Sequence, residues 1–178
     1  VVVIGSGLSG LTCAIRLAEK GIKCLLVSPY PSERSQSVMA AGGINAAIGK
    51  DDSIDLHVKE TFDGGCQIAN IEAIKGLCND AKDIVSWLEG LGTVFSKDED
   101  NKVALRAFGG QSKNRTAYAG SSTGKQIMTA LINEARKYES ENMIERKFGR
   151  YFHSALIENE TCYGVVLYND VTREIEVE

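Results

Sequence analysis

Three glycines with a fixed spacing form the clearest chemical motif in this sequence. Residues 5–10 are Gly-Ser-Gly-Leu-Ser-Gly, directly after the apolar run Val-Val-Val-Ile. In a GxGxxG turn between a strand and a helix, the glycines let a pyrophosphate approach the main chain, and the helix N-terminus offers N–H donors. The motif predicts a dinucleotide-binding turn, with a purely structural glycine turn as the alternative. The predicted contacts are Gly5, Gly7, Leu8, Ser9 and Gly10.

The position that usually binds the ribose of a dinucleotide departs from the common pattern. An acidic residue is expected at the end of the second strand, but Ser28 stands there, and the next acid is Glu33. A serine hydroxyl can also hydrogen-bond a ribose, so Ser28 is included among the predicted contacts. The departure disfavours an ordinary nicotinamide-binding domain.

Apolar periodicity predicts the elements that must position the glycine turn. Residues 1–4 predict a buried strand, the stripe from Leu8 to Lys20 predicts a helix ended by Gly21, and residues 22–27 predict a second strand. A strand, a helix and a strand in this order form a βαβ unit with parallel pairing and a right-handed crossover.

The rest of the chain predicts an α/β fold in one domain covering residues 1–178. A helix beginning near Ser53 carries an apolar stripe of Ile54, Val58 and Phe62. Two further helices are expected from Asn70 to Gly92 and over residues 124–138, the last with Thr123 as its N-cap. The remaining predicted elements are a parallel strand over 143–148 and an antiparallel meander over 151–158, 163–169 and 174–178, with irregular segments over 28–50 and 106–122.

Composition limits the function classes. The chain has 178 residues, 43% of them hydrophobic and 25% charged, which is ordinary for a globular protein. Its net charge of −4 disfavours a nucleic-acid partner. No apolar run approaches the roughly 20 residues of a membrane span, so no direct membrane insertion is expected. The five cysteines form no CxxC pair and the two histidines lie far apart, so no metal site is predicted and reduced thiols in a cytoplasmic location are expected.

Several separate motifs, in matching order, resemble one family of flavoproteins. The segments are Arg34–Ala47, Asp52-Ser53-Ile54, Arg106–Gly110, Arg115-Thr116 and Thr123-Gly124. They resemble the fumarate reductase and succinate dehydrogenase flavoproteins, which have L-aspartate oxidase as a relative. The resemblance implies a Rossmann-like FAD-binding domain with a parallel sheet and a C-terminal antiparallel β-meander. It also implies that the fold is incomplete without later chain, with a cap domain after residue 178.

The resemblance extends the predicted cofactor contacts to Ser35, Gln36, Ser37, Ala41, Gly42 and Gly43. Small residues at 41–43 would let main-chain N–H groups reach a flat flavin ring, although a flexible surface loop is the alternative. Gln36 occupies the place where membrane-bound members carry a histidine bonded to the flavin, so noncovalent FAD is expected. Ala41 and Ser121 also depart from the family pattern, which leaves the tuning of the flavin potential open.

Phe108 and Gly43 are the predicted substrate contacts. In the reductase and dehydrogenase members an aromatic ring lies at the dicarboxylate site, whereas L-aspartate oxidase usually carries an acid there. A purely structural role for Phe108 in the core is the alternative. Arg106 and Arg115 are candidate anion contacts, with solvated arginines as the more ordinary outcome.

The resemblance implies hydride transfer at FAD that interconverts fumarate and succinate. The catalytic acid would come from the cap domain, so residues 1–178 alone are expected to be inactive. L-aspartate oxidase and a non-catalytic FAD-binding or interaction module are the alternatives. Candidate partners are a small dicarboxylate and an iron–sulfur subunit, and attachment at the membrane periphery through partner subunits is the alternative location.

Overall fold

A computed structural model describes all residues, 1–178, as nine strands, four α-helices and two short 3-10 helices at 32–34 and 36–39. Internal contacts divide the chain into a first unit, residues 1–39 with 128–178, and a second unit, residues 40–127. In chain order the elements are β1 (Val2–Ile4), α1 (Leu8–Glu19), β2 (Cys24–Ser28), β3 (Ile44–Asn45), α2 (Ile54–Gly64), α3 (Ile71–Gly90), β4 (Leu105–Arg106), β5 (Thr116–Ala117), α4 (Thr123–Ser140), β6 (Ile144–Phe148), β7 (Arg150–Glu158), β8 (Thr161–Asn169) and β9 (Ile175–Val177).

The first unit contains the predicted βαβ unit. Its parallel sheet has the order β1-β2-β6, with β2 paired to both neighbours. Helix α1 buries Leu11, Ala14, Ile15 and Ala18, which are four of the five residues of the predicted stripe, and the fifth, Leu8, is half-buried. The parallel α/β architecture is therefore confirmed, and β2 begins two residues later than the pattern indicated.

The predicted C-terminal meander is also confirmed. Strands β7, β8 and β9 form an antiparallel sheet in that order. Val165 and Leu167 of β8 pack with Val27 of β2 in one buried cluster. Fully burying an aliphatic side chain of this size contributes about 1.5–3 kcal/mol, so this cluster joins the meander firmly to the parallel sheet.

Helices α2 and α3 of the second unit begin where the sequence predicts, near Ser53 and after Asn70. The Ser53 hydroxyl accepts a hydrogen bond from the Leu56 amide, and Asn70 Oδ1 accepts from the Glu72 and Ala73 amides. The apolar spacing of α3 predicts a buried stripe of seven residues, and five of them are buried: Ile74, Cys78, Ala81, Val85 and Leu88. These caps satisfy amides that a helix cannot pair internally.

Sequence patterns missed or misjudged three features of the second unit. A small antiparallel sheet of order β3-β5-β4 lies in segments predicted as irregular, because two-residue strands have no periodicity. In α2 the buried residue is His57 rather than the apolar stripe. Thr123 does not cap α4: it is the first helical residue, and its hydroxyl accepts from the Ala119 amide at 3.0 Å.

None of the helices is both long and apolar enough to cross a membrane.

Candidate functional site

The glycine turn of the first unit has no room for a side chain at Gly10. A Cβ atom at this position would lie 1.7 Å from the carbonyl oxygen of Gly5 and 3.5 Å from a side-chain carbon of Leu26. The first distance is far below van der Waals contact, and the obstacle is main chain, which cannot rotate away. Gly10 is therefore required by the packing of α1 on its own turn, as the motif predicts.

The first turn of α1 presents unpaired N–H donors. Gly7 is the N-cap and has no side chain to cap the helix. The Leu8 amide donates to Ser37 Oγ at 3.1 Å, whereas the amides of Ser9 and Gly10 have no acceptor within the chain. Unpaired amides at the positive end of a helix dipole form a ready site for a phosphate group.

The segment 35–37 lies beside this turn. Ser37 Oγ would be 3.1 Å and Ser35 Cβ 3.9 Å from a Cβ atom placed at Gly7. The Ser35 hydroxyl is buried and has no hydrogen-bond partner, while Gln36 is exposed. A buried unpaired hydroxyl is costly, so a polar group bound at the turn would supply the partner that Ser35 lacks.

Ser28 is held inside the first unit. It is only 4% exposed. Its hydroxyl donates to the Tyr30 carbonyl at 2.6 Å and lies 2.7 Å from Ser6 Oγ. Its proton is already engaged, and a lone pair of this oxygen is left to accept a hydrogen bond from a ribose hydroxyl, as the usual acid would. Glu33, the first acid after β2, forms an ion pair with Arg136 at 2.7 Å.

The loop 41–43 of the second unit is fastened by Arg106. Its Nη2 donates to the Ala41 carbonyl at 2.7 Å, and its Nε donates to the Gly42 carbonyl at 3.2 Å. The guanidinium also lies 4.6 Å from the centre of the Tyr118 ring. Arg106 is thus neither a free anion contact nor a solvated arginine: it is a main-chain clamp, which sequence reasoning missed.

This clamp sets the direction of two N–H donors. In a trans peptide the N–H points opposite to the C=O of the same unit, and the chain contains no cis peptide bond. Because the carbonyls of Ala41 and Gly42 face Arg106, the amides of Gly42 and Gly43 point away from it. Neither amide has an acceptor within the chain, so both are available to a bound group.

Gly43 is required by the small sheet. Its φ angle is +123°, and a Cβ atom here would lie 2.4 Å from Thr116 Cγ2 and 2.6 Å from the Ala117 carbonyl oxygen. The sequence predicts that this glycine allows close approach of a flat ring. The structure adds a second reason, which is close approach of β5.

Phe108 lies on the surface beside the same loop. It is 54% exposed, and its ring comes within 3.5 Å of a Cβ atom placed at Gly42. The alternative of a core phenylalanine is therefore wrong. An exposed aromatic ring against a glycine loop with unpaired amides is a surface on which an apolar part of a ligand can rest.

Arg115 does not bind an external anion and is not solvated. Its side chain is fully buried, and Nε and Nη2 each donate to an Asp52 oxygen at 2.9 Å. Its Nη1 lies 2.9 Å from Glu60 Oε2. Two carboxylates therefore surround one guanidinium, and both of the outcomes expected for Arg115 are wrong.

His57 lies next to this charged group. It is 4% exposed, and its Nδ1 has no hydrogen-bond partner. Burial lowers the pKa of His57 below its ordinary value, and the nearby Arg115 lowers it further. Asp52 and Glu60 act in the opposite direction, and the net effect favours the neutral imidazole. No group of three or more His, Cys, Asp or Glu side chains is placed to hold a metal ion.

Comparison with known proteins extends over almost the whole chain. Residues 1–177 match the family model described as an FAD binding domain. The chain is 37% identical to the succinate dehydrogenase flavoprotein subunit of Bacillus subtilis, covering 99% of this chain and 31% of that protein. It is 33% identical to L-aspartate oxidase of Vibrio cholerae, covering 82% of this chain and 28% of that protein.

A solved structure of a related protein is also similar to this chain. The Mycobacterium smegmatis Sdh1 complex in the apo form contains a chain that superposes with a TM-score of 0.90 at 27% identity, covering 94% of this chain and 30% of that one. The chain thus spans about a third of the length of the relatives that it matches. The resemblance inferred from the motifs is confirmed, and the chain belongs to the FAD binding domain family.

Proposed function

We propose that this chain is the FAD-binding part of an oxidoreductase that interconverts fumarate and succinate. The observation that carries the proposal is the exposed Phe108 ring against Gly42, next to two amides that have no acceptor in the chain. Such a surface offers an apolar contact to a carbon–carbon bond and hydrogen bonds to a flavin.

The first unit would bind the ADP end of FAD. The unpaired amides of Ser9 and Gly10 fit a pyrophosphate at the N-terminus of α1, with Gly5 and Gly7 leaving room for it. The unpartnered hydroxyl of Ser35 fits a further polar contact. Ser37 would act indirectly, because its hydroxyl already accepts from the Leu8 amide.

The second unit would contact the flavin. Residues 41–43 would place main-chain donors against the ring, and Arg106 would keep those donors directed toward it. FAD supplies hydride transfer when it is bound, while the protein supplies orientation and electrostatics. Gln36 cannot form the bond that a histidine forms in membrane-bound members, so we propose that FAD is held noncovalently.

The identity of residue 108 favours a dicarboxylate over an amino acid. A phenylalanine ring offers no charge to pair with a substrate ammonium, whereas it packs well against a neutral carbon–carbon bond. We therefore favour fumarate and succinate over L-aspartate, even though an L-aspartate oxidase is among the relatives.

Several further points follow from the family resemblance and stand as proposals. Residues 1–178 would form the N-terminal part of a longer FAD-binding domain, since the relatives extend well beyond the matched region. The acid that protonates the substrate would lie outside residues 1–178. An iron–sulfur subunit is a candidate partner, and attachment to a membrane would then be through other subunits.

An absorbance spectrum of the purified protein tests the cofactor. A visible flavin band is expected, and acid precipitation should release all of the yellow colour into the supernatant. A yellow pellet after washing would contradict noncovalent binding, and a colourless protein that takes up no added FAD would favour a module without a cofactor.

Substrate addition tests the reaction class. With the intact protein, fumarate should reoxidise reduced flavin under anaerobic conditions. Formation of peroxide with L-aspartate in air, together with no response to fumarate, would favour the oxidase instead.

A further inference from the structure

The segment that carries Phe108 has little packing beneath it. We refer to residues 107–113 as the Phe108 loop. A cavity of about 210 Å³ is lined by Gly109, Gly110 and Gln111 of this loop and by His57, Glu60 and Thr61 of α2. Because this space separates the loop from α2, few side chains pack between them, and hydrogen bonds contribute to where the loop rests, including a contact of 3.3 Å between Thr116 Oγ1 and Gln111 Oε1.

The main hydrogen bonds between the Phe108 loop and α2 converge on one carboxylate. The Ser112 amide donates to Glu60 Oε1 at 3.1 Å, and the Ser112 hydroxyl donates to the same oxygen. Within the loop, the Gln111 amide donates to the Phe108 carbonyl at 3.3 Å. The position of Ser112 is therefore transmitted to Phe108 through one short turn.

Glu60 is itself held in place. Its other oxygen, Oε2, lies 2.9 Å from Nη1 of the buried Arg115, which is fixed in turn by Asp52. The hydrogen bond from Ser112 lowers the pKa of Glu60 below its ordinary value, and Arg115 lowers it further. The carboxylate thus stays ionised, which makes its hydrogen bonds to Ser112 of the stronger, charge-assisted kind.

We infer that Glu60 is a positioning residue that acts through Ser112 to hold the Phe108 ring against the 41–43 loop. The placement of the loop rests on the geometry alone. The effect of this loop position on substrate affinity rests on the function proposed above, because only a substrate that contacts Phe108 would bind more weakly when the loop moves.

Tryptic cleavage after Lys113 measures the placement directly. Proteolysis follows the population of the opened segment when opening is fast. Loss of a hydrogen bond to a charged group should raise that population about tenfold. We expect Ser112→Ala and Glu60→Gln to speed cleavage of the Lys113–Asn114 bond by about this factor, and Ser112→Thr, which keeps a hydroxyl, to behave like the wild type.

Matched controls carry the same chemical changes elsewhere. Glu72→Gln and Ser86→Ala alter exposed residues whose side-chain hydrogen bonds lie within α3, and both should leave the cleavage rate unchanged. Ser112→Ala keeps the Glu60–Arg115 pair, so it remains informative if Glu60→Gln fails to fold. An unchanged cleavage rate in Ser112→Ala would overturn the placement by Glu60.

Fumarate titration of the FAD-loaded protein tests the consequence. Perturbation of the flavin spectrum should give about a tenfold weaker apparent affinity in Ser112→Ala, with equal FAD content and with rescue by Ser112→Thr. Wild-type affinity in Ser112→Ala would overturn the link to substrate. If the wild type itself shows no response to fumarate, the proposed substrate class fails, and the cleavage rates still decide the role of Glu60.

Discussion

The guanidinium of Arg106 and the carbonyl oxygen of Gly42 are hydrogen-bonded, with Nε at 3.2 Å from that oxygen. The same side chain also holds the carbonyl of Ala41. Because each carbonyl and the following amide belong to one rigid plane, a single side chain directs two N–H groups away from itself. The direction of these two main-chain N–H groups is thus controlled by Arg106, which lies more than 60 positions later in the sequence.

Replacing Arg106 should therefore weaken FAD binding without unfolding the protein. Arg106→Gln removes charge-assisted hydrogen bonds, which are worth about 1.5–3 kcal/mol each. We expect about a tenfold loss of FAD affinity, measured by quenching of FAD fluorescence in a titration of the cofactor-free protein. Arg16→Gln is the matched control, since Arg16 lies on the exposed side of α1 and pairs with Glu19. Equal affinities for the two variants would contradict the clamp.

Two Gly-to-Ala changes should affect stability in opposite directions. At Gly10 the new Cβ would meet the Gly5 carbonyl at 1.7 Å, and overpacking of this kind costs about 1–3 kcal/mol. At Gly76, within α3, a Cβ would meet nothing within 4 Å, so alanine should stabilise the folded state by about 0.4–1 kcal/mol. Denaturant unfolding of both variants checks the pair, and a destabilised Gly76→Ala would show that α3 is not a regular helix there.

The regular elements could be predicted from the sequence because each is encoded locally. The stripe of α1, the cap at Asn70 and the alternation in β7 and β8 each lie within a short window. The GxGxxG turn could also be predicted, because its glycines follow one another closely. Their spacing alone indicates a strand-turn-helix geometry.

The parts of the site that could not be predicted depend on distant pairs. Arg115 meets Asp52 across more than 60 residues, and no local pattern distinguishes a buried arginine from a solvated one. The two-residue strands β3, β4 and β5 exist only through pairing with one another. His57 is buried beside Arg115, whereas apolar spacing indicates a different face of α2.

Removing one charge from the buried ion pair of Asp52 and Arg115 should destabilise the folded protein. The Asp52 side chain is 2% exposed and that of Arg115 is fully buried. Removing one partner of such a pair costs about 3–5 kcal/mol, because the remaining charge is left buried with less compensation. We expect Asp52→Asn to lower the free energy of unfolding by an amount in this range. Asp55→Asn, an exposed change in the first turn of α2, should cost no more than about 1 kcal/mol. Similar losses in both variants would contradict the role of burial.

His57 should make stability depend on pH. Its folded-state pKa is lowered from the ordinary value of 6.5, first by burial and then by Arg115, so the unfolded chain binds a proton at a pH where the folded chain does not. By linkage, stability is fully present above pH 6.5 and falls as the pH drops below it, by at most about 1.4 kcal/mol per pH unit. Glu60 adds its own loss only below its ordinary value of 4.5. His57→Gln should therefore flatten the curve of unfolding free energy below pH 6.5, which denaturant unfolding at a series of pH values measures. If His57→Gln keeps the wild-type slope, His57 is not the group that titrates.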